Sequence, residues 1–213
     1  MKYDHFLQLV GDMPWFDFAT VLQLSGEPRQ NLRVRLYEWR KAGKLLSLRR
    51  GMYALAEPYR RVAAHPALLS NQLYTPSYIS MHWALSFYGL IPEKTVVYTA
   101  VTPRVPRTFE NDFGVYRYSN LKQKFFFGYR AVDMGGENVF VATPEKALLD
   151  LWHLRSGVWD TDRMTEMRFQ NFDVVSTGRL RDFAERFGLP RLMRAVSVWE
   201  QVSASTEEGT VSL

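Results

Sequence analysis

Between Arg29 and Arg50 the chain carries eight basic side chains (Arg29, Arg33, Arg35, Arg40, Lys41, Lys44, Arg49, Arg50) and one acid, Glu38. Guanidinium and ammonium groups at this density neutralise phosphates, and Arg, Gln and Tyr among them can hydrogen-bond base edges. The segment's charge of +7 exceeds the formal net charge of the whole chain, +5. Residues 1–56 hold 9 Lys/Arg against 5 Asp/Glu, whereas the rest is nearly balanced. A basic head on a near-neutral body implies an anionic partner for the head alone.

Three helices and a hairpin must position these groups. The pattern predicts a helix over Tyr3–Val10 and a second after Asp17, an effective N-cap, ending at Ser25-Gly26. Glu27-Pro28 makes a turn, and a third helix runs to Ala42. Leu32, Leu36 and Trp39 form its apolar stripe. Gln30, Arg33, Val34, Tyr37 and Lys41 lie opposite, with Arg29 and Arg40 flanking. Leu45–Leu48 and Met52–Leu55 read as strands joined through Arg49-Arg50-Gly51, where glycine supplies a positive φ. This is the pattern of a winged helix-turn-helix on duplex DNA. The candidate DNA-binding residues are Arg29, Gln30, Arg33, Val34, Tyr37, Arg40, Lys41, Lys44, Arg49 and Arg50.

The expected class is α+β. A winged helix-turn-helix over 1–57 and a linker over 58–66 precede a larger α+β domain over 67–203 and a flexible tail over 204–213. The larger domain is expected to hold a mostly antiparallel or mixed sheet and C-terminal helices. Helices are predicted over Leu68–Tyr74, Tyr78–Tyr88, Asp162–Gln170, Thr177–Phe187 and Pro190–Val202. Another opens at Thr143-Pro144-Glu145, a cap followed by proline and an acid. Strands are predicted over Thr95–Val101, Thr108–Phe109, Val115–Tyr118, Phe125–Val132 and Val139–Ala142.

Other chemistry finds little support. With no cysteine, disulfides, thiolate metal sites and cysteine nucleophiles are excluded, consistent with a cytoplasmic protein. His5, His65, His82 and His153 show no ligand spacing, so neither a metal nor a cofactor is expected. Adjacent Glu145 and Lys146 lack the spacing of a nuclease pair and read as a helix-capping acid beside a solvated lysine. Phe125-Phe126-Phe127 alternate as a strand buried on both faces would require. No apolar run spans a bilayer, and the N-terminus does not read as a signal peptide.

The stretches RRGMYAL (49–55), PSYISMHWALSFYGLIPE (76–93), PRTFENDFGVYRYSNLK with FFFGY downstream (106–129) and ATPEKALLDLWHL (142–154) together resemble the AbiEi-like antitoxins. These are also described as predicted transcriptional regulators of viral defence systems. The resemblance covers most of residues 15–155. It implies an N-terminal winged helix that represses its own operon and a C-terminal domain that helps neutralise a nucleotidyltransferase-like toxin. On that reading the chain is not an enzyme. Its expected partners are operator DNA and a cognate toxin engaged functionally; because one winged helix covers only a short stretch of duplex, repeated half-sites bound by a dimer are expected. The turn Glu110-Asn111-Asp112, with Arg104, Arg107 and Arg117, is the candidate antitoxin surface. Two alternatives stand beside it. One is a DNA-targeted nuclease or nucleotidyltransferase built on Glu110, Asp112 and Asp133. The other is a module binding RNA or an acidic partner.

Overall fold

A computed structural model describes residues 1–210, with side chains through Ser205. In the N-terminal part, α1 (Tyr3–Val10), α2 (Phe18–Ser25) and α3 (Arg29–Lys41) pack on a three-stranded antiparallel sheet. Its strands are β1 (Phe16–Asp17), β2 (Leu45–Arg49) and β3 (Met52–Leu55), in the order β1-β3-β2. Strand β1 was not anticipated, because two residues between a proline-containing turn and a helix cap are too short to show alternation. It pairs Phe16 with Tyr53 and Asp17 with Met52. Asp17 then caps α2 by accepting the Thr20 backbone N–H at 2.7 Å. Gly51 takes φ +78° in the hairpin turn, a conformation open to glycine without a Cβ clash.

Alternation along the hairpin gives it two apolar faces. Leu45 and Leu55 are direct partners and join Phe6, Val10, Val21, Leu32 and Leu36 in a core closed by the helices. Leu48, Met52 and Ala54 point the other way, into a second cluster with Leu69, Leu73, Tyr74, Ala100, Tyr116 and Tyr118. The head therefore shares a core with the rest of the chain. The side chain of Asn111 adds a hydrogen bond from Nδ2 to the Leu48 carbonyl, at 3.0 Å.

The remainder is built on a mixed six-stranded sheet. Its strands are β4 (Tyr78–Ile79), β5 (Val97–Thr102), β6 (Arg107–Asn111), β7 (Gly114–Asn120), β8 (Tyr129–Asp133) and β9 (Asn138–Ala142), in the order β6-β7-β5-β4-β9-β8. Pairs β4/β9 and β5/β7 are parallel, and the others antiparallel. Helices α4 (Pro66–Leu73), α5 (Met81–Phe87), α6 (Pro144–Leu154), α7 (Thr161–Glu166), α8 (Thr177–Phe187) and α9 (Pro190–Thr210) complete it. The protein is α+β. Among the described residues no helix is long and apolar enough to cross a membrane.

Three expectations are corrected. Tyr78-Ile79 is a strand rather than the start of a helix, which begins only at Met81; the apolar run PSYISMHWALSF cannot mark where one period gives way to the other. Residues 123–125 form a 3₁₀ turn and the strand starts at Tyr129, so the phenylalanines belong to a buried loop. There Gly128, at φ +72°, lies where a Cβ would stand 2.9 Å from Phe183 and 3.0 Å from Lys146. Helix α9 continues to Thr210 through the segment expected to be a flexible tail, while 211–213 of that segment lie outside the described residues.

The Asp17 cap generates a pH-dependent prediction. Its carboxyl is held below the usual carboxylate range chiefly by the Thr20 backbone N–H. The ionised cap therefore contributes stability above the unfolded-state pKa, and loses it as pH falls through the lowered native value. Asp17→Ala should cost about 1 kcal/mol at pH 7, and chemical denaturation should show this difference shrinking below pH 4 or so.

Candidate nucleic-acid interface

The basic helix α3 owes its orientation to Leu32 and Leu36, both essentially buried, and to Trp39, which packs 4.5 Å from Phe6 and 5.2 Å from Tyr3. Trp39 thus anchors α3 to α1. With that stripe inward, Arg29, Gln30, Arg33, Val34, Tyr37, Arg40 and Lys41 are all exposed. Val34 and Tyr37 are 47% and 56% exposed on the same face. Arg29 and Arg33 lie 5.2 and 5.8 Å from the Phe18 ring of α2, and Arg40 lies 5.6 Å from that of Tyr37. These stacked guanidinium groups keep their charge while losing some of their freedom. Arg35, turned away, pairs with Glu27 at 3.6 Å.

The hairpin completes this side of the molecule. Arg50 is exposed at its tip, and Arg49 is half-buried, with its Nη1 donating to the Arg50 carbonyl at 3.3 Å. Arg49 borders two hollows at once. One is formed with Phe18, Leu22, Gln23 and Arg29 of the head, and the other with Tyr74, Thr75, Arg104 and Arg107. The guanidinium groups of Arg104 and Arg107 stand 4.9 and 5.5 Å from the Tyr74 ring, and Arg104 also donates to the Thr75 carbonyl. A basic strip therefore runs from the start of α3, over the hairpin, onto the edge of the large sheet. The link across the hairpin comes from tertiary packing and had no signature in the sequence.

Not every candidate joins this strip. Lys44 is half-buried 4.3 Å from the Tyr3 ring and 5.9 Å from that of Tyr59, against the head's aromatic core. The five charged residues proposed around the 110–112 turn do not form one patch. Strand alternation and the pairing of Arg107 with Tyr118 and Thr108 with Arg117 put Arg107 on the hairpin side of the sheet and Arg117 and Glu110 on the other. Asn111 is bound to the hairpin, and Asp112 is exposed in the turn. Glu110 and Asp112 also lie at one edge of the six-stranded sheet and Asp133 at the opposite one, about 24 Å away at the usual strand spacing. They do not converge. Among the described residues no group of three or more His, Asp or Glu side chains is placed to hold a metal ion.

The largest correction concerns Glu145 and Lys146, which are 1% and 0% exposed. The Glu145 carboxylate accepts the Ser176 backbone N–H at 2.9 Å, joining α6 to the start of α8. The Lys146 ammonium donates to Tyr78 Oη at 2.8 Å and to Asp150 one turn along α6. Asp150, itself 0% exposed, also accepts from Ser80 Oγ at 2.7 Å and from Tyr78 Oη at 3.1 Å. Burial pulls the Lys146 ammonium below the usual lysine range against the opposing pull of Asp150, and pushes the Tyr78 phenol up. Phe127 and Phe187 close over Lys146, at 5.2 and 5.0 Å. The spacing of Lys146 and Asp150, i and i+4, was visible in the sequence. Nothing in a single sequence distinguishes a buried pair from a solvated one. With its ionic groups sealed from solvent, this cluster has the geometry of a structural cross-link between α6 and β4.

No family model matches the chain, and no curated protein is detectably similar to it in sequence.

A double-mutant cycle tests the buried pair. Removing one partner strands the other charge in the interior, so Asp150→Ala should cost about 3–5 kcal/mol in chemical denaturation. Lys146→Met in the same chain should recover a large part of that loss. Additive costs would mean that the two groups do not form a pair.

Proposed function

We propose that this chain is a DNA-binding transcriptional regulator that contacts duplex DNA through α3 and the β2–β3 hairpin, in the manner of a winged helix-turn-helix. The observation that carries the reading is the α3 face. Arg29, Gln30, Arg33, Val34, Tyr37, Arg40 and Lys41 are exposed together beside a hairpin tipped with Arg49 and Arg50. An α-helix of this width enters the major groove, where Gln30 and Arg33 can offer donors to base edges while the arginines of the hairpin meet phosphates or the minor groove. Arg104 and Arg107 extend the phosphate-contacting surface beyond the hairpin. Lys44, engaged with Tyr3 and Tyr59, contributes to the field and makes no direct contact.

The resemblance of 49–55, 76–93, 106–129 and 142–154 to the AbiEi-like antitoxins supports a finer reading. The chain represses its own operon and protects the cell against a nucleotidyltransferase-like toxin encoded with it. The exposed Arg117, Glu110 and Asp112, away from the basic strip, are the first residues to vary for protection.

Fluorescence anisotropy on the full chain separates base reading from charge. With about six basic side chains on phosphates, affinity should fall by about three decades between 50 and 200 mM salt. Gln30→Ala or Arg33→Ala should remove roughly 1–3 kcal/mol of discrimination between operator and random duplex. Arg50→Ala should weaken both duplexes alike. Salt-independent affinity would refute the proposal, and equal losses on both duplexes for the α3 variants would refute the assignment of the reading face.

A further inference from the structure

Far from the basic strip, a cavity of about 160 Å³ opens where the end of α6 meets the loop 156–159 and the start of α9. Trp152, Gly157, Val158, Trp159, Arg191 and Arg194 line it. Its walls are prearranged. Arg191 donates to the Trp152 carbonyl at 3.2 Å and to that of His153, capping the C-terminus of α6. Arg163 donates to the Ser156 and Val158 carbonyls, at 2.8 and 3.1 Å, and its guanidinium lies 4.0 Å from the Trp159 ring, holding the loop in shape.

The lining combines apolar and basic side chains. Trp152 and Trp159, 0% and 6% exposed, stand with ring centroids 6.3 Å apart and give the cavity an apolar wall. Arg194 is exposed on the first turns of α9, and among the described residues no carboxylate lies within ion-pair distance of it. Val158 is 72% exposed at the mouth although apolar. No acid lines the cavity, so no carboxylate offsets the two arginines.

We propose that this cavity is a binding site for a small organic carboxylate with a compact apolar body. The charge follows from Arg191 and Arg194, which together favour an anion. The apolar body follows from walls made of two indoles and a valine, which a bare inorganic anion would leave uncovered. The size follows from the volume, since a protein cavity of about 150 Å³ admits a single benzene ring. The site is independent of the DNA-binding reading.

Benzoate is the probe, titrated into the full-length protein while the six tryptophan indole N–H signals are followed by NMR. Trp152→Phe and Trp159→Phe assign the two signals that matter. Saturable shifts of those two, with the other four unmoved, are expected. Arg194→Gln should weaken binding at least fivefold, and Val158→Trp, which fills the mouth from an exposed position, should abolish it. Benzyl alcohol and inorganic phosphate should each bind at least tenfold more weakly than benzoate. The proposal is overturned if the indole shifts do not saturate or if Arg194→Gln binds like the parent chain. It is overturned equally if benzyl alcohol matches benzoate, leaving only an apolar hole, or if phosphate does, leaving only an unspecific anion site.

Discussion

Leu48, Met52 and Ala54 seated against Leu69, Leu73, Tyr116 and Tyr118, with Asn111 hydrogen-bonded to the Leu48 carbonyl, fix the geometry on which the surface of this protein depends. The apolar side of a two-stranded hairpin would otherwise face water, and a hairpin alone is marginally stable. Seating it on the large sheet sets the orientation of α3, because α3 and the opposite face of the hairpin share Leu32, Leu36, Leu45 and Leu55. The same contact places Arg49 between the hollow of the head and the hollow that contains Arg104 and Arg107. One packing interaction thus converts two separate basic clusters into a single strip. It also means that residues 1–57 cut from the chain would expose Leu48, Met52 and Ala54.

The body solves a different problem. Its sheet is only two residues wide at β4, the strand joining its halves. Tyr78 on that strand meets Lys146 and Asp150 of α6, and Ser80 just beyond it also donates to Asp150. A buried ion pair contributes little net energy compared with apolar packing, but it penalises every arrangement that leaves a charge alone. Here it specifies how α6 lies on the weakest strand. Glu145 does the same for α8 through the Ser176 backbone. The motif that reads as a helix start in the sequence is therefore a hub connecting three elements.

Local signals were legible and tertiary ones were not. The apolar period of α3, the Asp17 cap, the glycine of the hairpin and the proline opening α6 each mark structure through neighbours in sequence, and those elements fall where the pattern puts them. Tyr78-Ile79 was misread because an apolar run satisfies a strand and a helix equally, and its partners, β5 and β9, come later in the chain; Phe125–Phe127 were misread because a loop buried against α8 is as apolar as a strand. Lys146 was misread because burial of a lysine is decided by Phe127 and Phe187, residues no local rule connects to it. On the candidate interface, the exposed side of α3 followed from the helical wheel. The joining of Arg49 to Arg104 and Arg107, and the removal of Lys44 toward Tyr3, required the fold.

The central claim is that arginines of the hairpin and of the large sheet form one phosphate-binding strip. The most direct measurement is the slope of log affinity against log salt for the full chain on duplex DNA, compared between the parent and the Arg49→Gln/Arg107→Gln double variant. Each phosphate contact contributes about 0.9 to the slope's magnitude, so the double variant should be shallower by about two. A decrease of about one, carried by Arg49 alone, or an unchanged slope would contradict the account.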